Sequence, residues 1–278
     1  MSPTNIDPSA SLPAPAPDAG AVETRDISAQ LKVRLTRFPR TYNRARRTYA
    51  TGRFLLRRPH DRDYAVFALF PPTAGLFLDV GANAGMSAMS LRLYQRRARI
   101  FSVEPNPSHE PDLRWTARWV RRMEYGIFAA GDTPGSHDLF IPVYRGVALT
   151  AEAALSRGAV ERSPSLKDSL GSRMDSAEFQ IERIEVEVKR LDELDLEPAF
   201  VKLDVQGHEH QALVGMTSTL EKQGPPVLVE APSDEVTAHM AALGYSPYAF
   251  DRQANRLVSL AGYATNVMFI RGEPPVAS

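Results

Sequence analysis

Not one of the 278 residues is cysteine. That absence excludes disulfides, thiolate metal sites and cysteine nucleophiles, and it fits a reducing compartment. Neither sign of charge is in excess, since Lys+Arg and Asp+Glu both total 33. Global charge therefore points to neither nucleic acid nor a membrane surface. No run approaches the roughly 18 to 20 apolar residues of a membrane span, and the N-terminus lacks the basic-then-apolar layout of a signal peptide. Cytoplasm is the default compartment. What is present is an ordinary globular composition, 43% apolar and 24% charged, in a chain long enough to bury a sizeable core.

Three regions differ in composition. Residues 1–24 are rich in Pro, Ala and Ser with almost no large apolar side chains, so burial there cannot offset the entropy of ordering and a disordered tail is expected. Residues 25–64 form a basic arm, with twelve basic and two acidic residues between Arg25 and Arg62. Its interleaved apolar residues, broken at Pro39, predict two short amphipathic helices. Such an arm either packs on the main domain as a solvated helical face or contacts a polyanion or membrane surface peripherally. Residues 65–278 alternate apolar runs with helical patterns, which predicts a largely parallel sheet with helices on both faces. In that region 181–194 alternates strictly, as an edge strand would, and the polar stretch Thr150–Ala177 reads as a lid, binding loop or disordered segment.

The first strand, "LFLDV", ends in the turn "GANAG" before a helix. Glycines there let the backbone approach a ligand at a helix N-terminus, where N–H groups lack partners. The Gly-x-x-x-Gly spacing is not that of a dinucleotide site, and Asp79 would repel a pyrophosphate while suiting a cationic group. Glu104 ends the next strand, about twenty residues beyond the turn, where ribose hydroxyls are usually held. The pattern asks for a ribose, a positive group and no phosphate, and S-adenosylmethionine has that character. An ordinary turn with a capping Asp79 and a surface Glu104 is the bland alternative.

The blocks "FLDVGANAG", "VEPNP", "AAGDTPGSHDLFIP", "VEVKRLDEL", "VKLDVQGHEHQALVGM" and "TNVMFI" occur in this order between Leu76 and Ile270. This series resembles the FkbM-type methyltransferases. The resemblance implies a Rossmann-like class I methyltransferase fold and S-adenosylmethionine-dependent O-methylation of sugars, glycans or glycosylated natural products. It implies that Asp79, Gly81, Asn83 and Gly85 contact the methionine end of the cofactor, Glu104 the ribose, and Ala130 and Asp132 the adenine side. The chain departs from the family pattern at Gln206, where an acid is usual, and at His208, where a small apolar residue is common.

In "FVKLDVQGHEHQAL" the strand positions Val201, Leu203 and Val205 alternate with Lys202 and Asp204. A sheet covered on both sides is apolar on both faces, so charges there must be paired or open on a cleft. Asp204 is the first candidate for the base that orients the acceptor and takes its proton. His208 and Glu209 are the next candidates, and Lys202 would hold Asp204 charged. The structural alternatives are a buried Lys202–Asp204 pair, a Glu209 serving only its helix N-terminus and a solvated His208. A divalent ion on Asp204, Glu209 and Glu230 is chemically admissible, but the missing acid at Gln206 argues against it, and no metal site is assigned. Trp115 and Trp119 share a helix face, suited to packing or to stacking on a sugar ring. Two other functions compete, a nicotinamide-dependent oxidoreductase and a non-catalytic polyanion-binding protein acting through Arg44, Arg46 and Arg47. No specific nucleic acid is expected, and the oligomeric state is left open.

Overall fold

The computed structural model describes residues 39–275. The tail, 1–24, and the first arm helix, with Ile27, Leu31, Leu35 and Phe38, lie outside the described residues. The second arm helix is α1 (Pro39–Leu55). Proline suits its first position, where an N–H would have no helical partner. A short 3-10 helix, Arg62–Leu69, follows, and Asp61 caps it by accepting from the Asp63 N–H at 2.9 Å.

In chain order the strands are β1 (Leu76–Val80), β2 (Arg99–Val103), β3 (Met123–Gly126), β4 (Ala129–Ala130), β5 (Gly135–Tyr144), β6 (Val147–Ala148), β7 (Phe179–Lys189), β8 (Pro198–Leu203), β9 (Val227–Glu230), β10 (Tyr245–Asp251), β11 (Arg256–Ser259) and β12 (Asn266–Arg271). The further helices are α2 (Met86–Tyr94), α3 (Glu110–Trp119), α4 (Arg157–Arg162), α5 (Pro164–Leu170), α6 (Glu209–Val214), α7 (Thr217–Gln223) and α8 (Asp234–Ala242). Among the described residues the strands make two sheets. The larger has the order β11-β10-β12-β9-β8-β1-β2-β3. From β9 to β3 its neighbours are parallel, while β12 runs antiparallel to β9 and β10. Strand order reverses between β1 and β8, and ligands of such sheets sit outside the carboxyl ends at that point.

Side-chain alternation assigns each strand residue to a face. On one face Leu78, Val80, Val103, Val201, Leu203, Val229 and Phe269 pack with Ala212, Leu213, Leu220 and Met240 of α6, α7 and α8. On the other, Phe77, Ile100, Phe200, Leu228 and Met268 pack with α1, α2, α3 and with Tyr64, Val66 and Phe67 of the 3-10 helix. Each such fully buried aliphatic or aromatic side chain contributes roughly 1.5–3 kcal/mol. This second face changes character toward its carboxyl end. Asp79, Ser102, Lys202, Glu230 and Asn266 continue the same alternation where apolar residues would otherwise stand.

The smaller sheet, β4-β7-β5-β6, is inserted between β3 and β8, and it corrects two expectations. The alternating strand β7 is an edge only in part: β4 covers it at Val188 and Lys189, while among the described residues the strand before them pairs on one side alone, with β5 over ten residues. Its alternation arises because one face covers a core of Leu139, Ile141, Val186 and Val188 while the other meets solvent. Nor is Thr150–Ala177 a loop without structure. It carries α4 and α5 and buries Val160, Leu166 and Leu170 against Tyr144 and Ala154. The run 123–132 divides between the two sheets as β3 and β4.

Candidate active site

The turn after β1 is shaped by contact with β8. A Cβ on Gly81 would lie 1.7 Å from the carbonyl oxygen of Asp204, and φ there is +79°, so only glycine fits. Asn83 (φ 49°) and Gly85 (φ 81°) repeat the left-handed conformation. The amides of Gly81 and Ala82 both donate to the Val103 carbonyl, at 2.9 and 3.0 Å. No side chain caps the N-terminus of α2, so its first N–H groups are free for a ligand.

Asp79 lies beneath this turn rather than on the surface of the cleft, with 0% exposure. Its Oδ2 accepts from Ser87 Oγ at 2.5 Å and Ser102 Oγ at 3.0 Å. Its Oδ1 has no hydrogen-bond partner and stands 3.8 Å from Lys202 Nζ. Burial raises its pKa, an effect that Lys202 and the two serines partly offset. Glu104 is also buried, which raises its pKa, and it accepts from the amides of Asn83 at 2.7 Å and Asn106 at 2.9 Å. Each of its oxygens keeps a second lone pair, the capacity a ribose diol requires.

Lys202 is 7% exposed and donates to the Gly81 carbonyl at 3.0 Å and to Asp204 Oδ2 at 3.2 Å. Burial opposes its charge, but Asp204 and Asp79 more than compensate and hold the ammonium above its ordinary pKa. Asp204 is half-buried at the end of β8. Burial works against its ionised form too, yet Lys202 and hydrogen bonds with Glu230 and Gln206 outweigh it and lower the pKa. Glu230 ends β9, one register step from the Leu203–Val229 pair. Burial and the charge of Asp204 push it up to about 8. The two carboxyls thus separate, one held ionised and its neighbour holding a proton at neutral pH.

The loop after β8 explains the departures from the family pattern. Gln206 and Gly207 have φ of 53° and 91°, and Gln206 Nε2 donates to Asp204 Oδ1 at 2.9 Å. An acid at 206 would repel Asp204, whereas the amide orients it. Glu209 Oε1 turns back to accept from the amides of Val205 at 3.1 Å and Gly207 at 3.0 Å, so it locks the loop. His208 faces away from Asp204, and a Cβ on Gly131 would lie 3.4 Å from its Nε2. Burial lowers its pKa while the nearby Asp132 raises it. Ala130 is buried and paired with Lys189, and the Asp132 carbonyl accepts from Arg190 at 2.8 Å. Asp79, Gly81, Lys202 and Asp204 are therefore one cluster, Asn83 and Glu104 adjoin it, and Ala130, Asp132 and His208 form a separate group beside it. Among the described residues no group of three or more Asp, Glu or His has a metal-holding arrangement.

Sequence reasoning missed the residues that cover this cluster from upstream of β1. Asn266 pairs with Glu230 across the sheet and donates to Asp61 at 2.8 Å and Asp63 at 2.9 Å. Tyr64 is 3% exposed, and its hydroxyl has no partner among the described residues. The motif "RPHDRDY" carries no spacing that announces a site. Two acids two positions apart, Asp61 and Asp63, directly before an apolar run were the one signal that could have found it. The arm itself is docked, because Arg46 and Arg47 both bind the buried Asp112 and Trp115 Nε1 donates to Thr51 at 3.0 Å. Two of the three arginines considered for polyanions are thereby engaged, and Trp115 serves packing.

The Methyltransferase FkbM domain family matches residues 79–247. No curated protein matches the chain. Among solved structures, a methyltransferase FkbM from Methylobacillus flagellatus KT is 16% identical with a TM-score of 0.46, over 75% of this chain and 48% of that one. The chain thus spans about half the length of that relative. Fibrillarin from Aeropyrum pernix, with natively bound S-adenosyl-L-methionine, is 12% identical with a TM-score of 0.37, over 74% of this chain and 76% of that one. A SAM-dependent O-methyltransferase from Thermotoga maritima is 12% identical with a TM-score of 0.35, over 77% and 65%.

Proposed function

The chain belongs to the FkbM methyltransferase family, and we propose that the atom it methylates is a hydroxyl oxygen of a sugar, glycan or glycosylated natural product. It is an S-adenosylmethionine-dependent methyltransferase of Rossmann-like class I fold. The site's own residues fit that cofactor. The left-handed turn and uncapped α2 N-terminus suit the methionine end, and Glu104 retains the lone pairs for a ribose. Carboxylates outnumber cations around Lys202, which favours a positively charged sulfonium. When bound, the cofactor supplies a methyl group activated for displacement at carbon.

Asp204 carries the proposal. A neutral amine acceptor needs only its own lone pair, whereas a hydroxyl must also lose a proton. Lys202 and Gln206 fix a charged, partly exposed carboxylate at the strand end where that proton would be received. Positioning supplies much of the barrier reduction in such displacements, and a general base typically adds about 10²- to 10⁴-fold. Glu209 and His208 have supporting places, locking the loop and packing against the 130–132 stretch. No described helix is long and apolar enough to cross a membrane. The cysteine-free composition fits a reducing compartment, and we assign the reaction to the cytoplasm.

The test is calorimetry with S-adenosylmethionine on the wild type and Asp79→Ala, then transfer of labelled methyl to paired hydroxyl and amine probes. We expect binding in the wild type, weakened in Asp79→Ala, and product from hydroxyl probes that disappears in Asp204→Asn. Product from amines alone, unchanged in Asp204→Asn, would reject the hydroxyl assignment.

A further inference from the structure

We propose that residues His60–Tyr64, upstream of the residues matched by the family, are the acceptor-side wall of the active site, with Tyr64, Asp61 and His60 positioning the hydroxyl presented to Asp204. The proposal rests on the hydroxyl-transfer reading above and extends it to a segment outside the family domain.

Three independent contacts hold this segment over the carboxyl ends of β8 and β9 and the amino end of β12. Asn266, opposite Glu230 in the sheet, ties down Asp61 and Asp63 together. Arg252 on the β10–β11 turn binds Asp63 from outside at 2.5 Å. His60 is anchored on α2, since its backbone N–H donates to Ser90 Oγ at 2.9 Å and its Nδ1 lies 2.7 Å from the same oxygen. The wall is thus built from the sheet on one side and from the helix after the glycine turn on the other.

The side chains present a mixed set of polar groups. The Tyr64 ring meets the His60 ring edge-on with centroids 4.8 Å apart. Among the described residues its hydroxyl is the one polar atom of the wall that is sealed from water and lacks a protein partner, a costly condition unless a further group accepts from it. Burial and the charges of Asp79, Asp204 and Asp61 keep its proton on, so it remains a donor at physiological pH. His60 is exposed, yet the protein packed around it and the positive charge of Lys202 lower its pKa. Its imidazole is therefore neutral, with Nε2 free of the Ser90 contact. A neutral imidazole, a phenol donor and carboxylates on two sides match the alternating donors and acceptors of a hydroxyl-bearing molecule.

The native acceptor need not be identified for the test. The protein is labelled at histidine ¹³Cε1, the His60 resonance is assigned with His60→Gln, and S-adenosylhomocysteine is titrated in. We expect that resonance to shift with the midpoint found by calorimetry. We further expect Tyr64→Phe and Asp61→Asn to keep the S-adenosylhomocysteine affinity within about twofold, while transfer to methyl hexopyranoside probes falls about tenfold, the worth of one hydrogen bond at the upper end. A His60 resonance that stays still at saturation overturns the proposal. So do variants that transfer as fast as wild type, or that lose cofactor affinity in parallel, since either would make the segment purely structural. If His60 responds but the wild type methylates only amine probes, the hydroxyl reading fails and the wall assignment stands.

Discussion

Two buried acids meet the N-terminal segments of this protein in opposite ways. Asp112, 2% exposed at the start of α3, receives two arginines from α1. Burial works against its charge, but His109, Arg46 and Arg47 outweigh it and lower the pKa. Asp204 shares a single lysine with Asp79, adjoins a protonated Glu230, and lies under a tyrosine whose hydroxyl is unpaired. Where cations exceed the acid, as at Asp112, the contact is glue between the arm and the domain. Where carboxylates exceed cations, as around Lys202, the arrangement suits a cationic ligand and holds stability in reserve for binding. The contrast separates a docking site from a reaction site within one face of one sheet.

The strongest way to break the contrast is Lys202→Met, which leaves Asp79 and Asp204 without their cation. Removing one partner of a buried pair typically costs about 3–5 kcal/mol. Denaturant unfolding should show a loss of that size, together with loss of transfer. A fully stable variant would mean the two acids had never depended on the lysine. Next comes Asp204→Asn, for which transfer should fall about 10²- to 10⁴-fold while the melting temperature falls only modestly, since Asp79 still faces Lys202. A parallel loss of stability and rate would make Asp204 structural, like Asp112.

Asp112→Asn is the mirror experiment. It should lower stability by about 1–3 kcal/mol through weakened bonds to Arg46 and Arg47 and leave S-adenosylmethionine affinity unchanged by calorimetry. A change in cofactor affinity would connect two regions that the structure keeps apart. The last effect concerns Glu230. Its carboxyl is raised from an unfolded value near 4.5 to about 8 in the fold, so the native state binds the extra proton. Stability from this group is complete below the unfolded pKa and is lost as pH rises through about 8. Melting temperatures of Glu230→Gln should therefore draw ahead of wild type between about pH 5 and pH 8. Parallel curves across that window would show that Glu230 does not hold the proton.

Legibility in the sequence was uneven. The strand-to-helix rhythm, the glycine turn and the two acids at strand ends were readable because they depend on local periodicity and on backbone that only glycine permits. Lys202 and Asp204 were readable as a contradiction, two charges on a strand face that ought to be apolar. By contrast, the second sheet was not legible beyond the alternation of 181–194, since β4 and β7 are joined across more than forty residues and pairing of that range leaves no local mark. The roles of Gln206 and Glu209 depended on a loop whose left-handed residues aim one side chain at Asp204 and the other back at the backbone.

By itself, then, the sequence determined the alternating α/β order, the ligand turn at Gly81 and the chemical character of the strand ends, because each follows from residue types a few positions apart. Only the tertiary structure decided which charges meet. Asp79, Lys202, Glu230 and Asn266 become neighbours through sheet order and register, and His60–Tyr64 joins them by folding back over the strands. Contacts of that kind are set by how distant segments pack, and desolvation, which turns a carboxyl into a base or a proton store, exists only once they have packed.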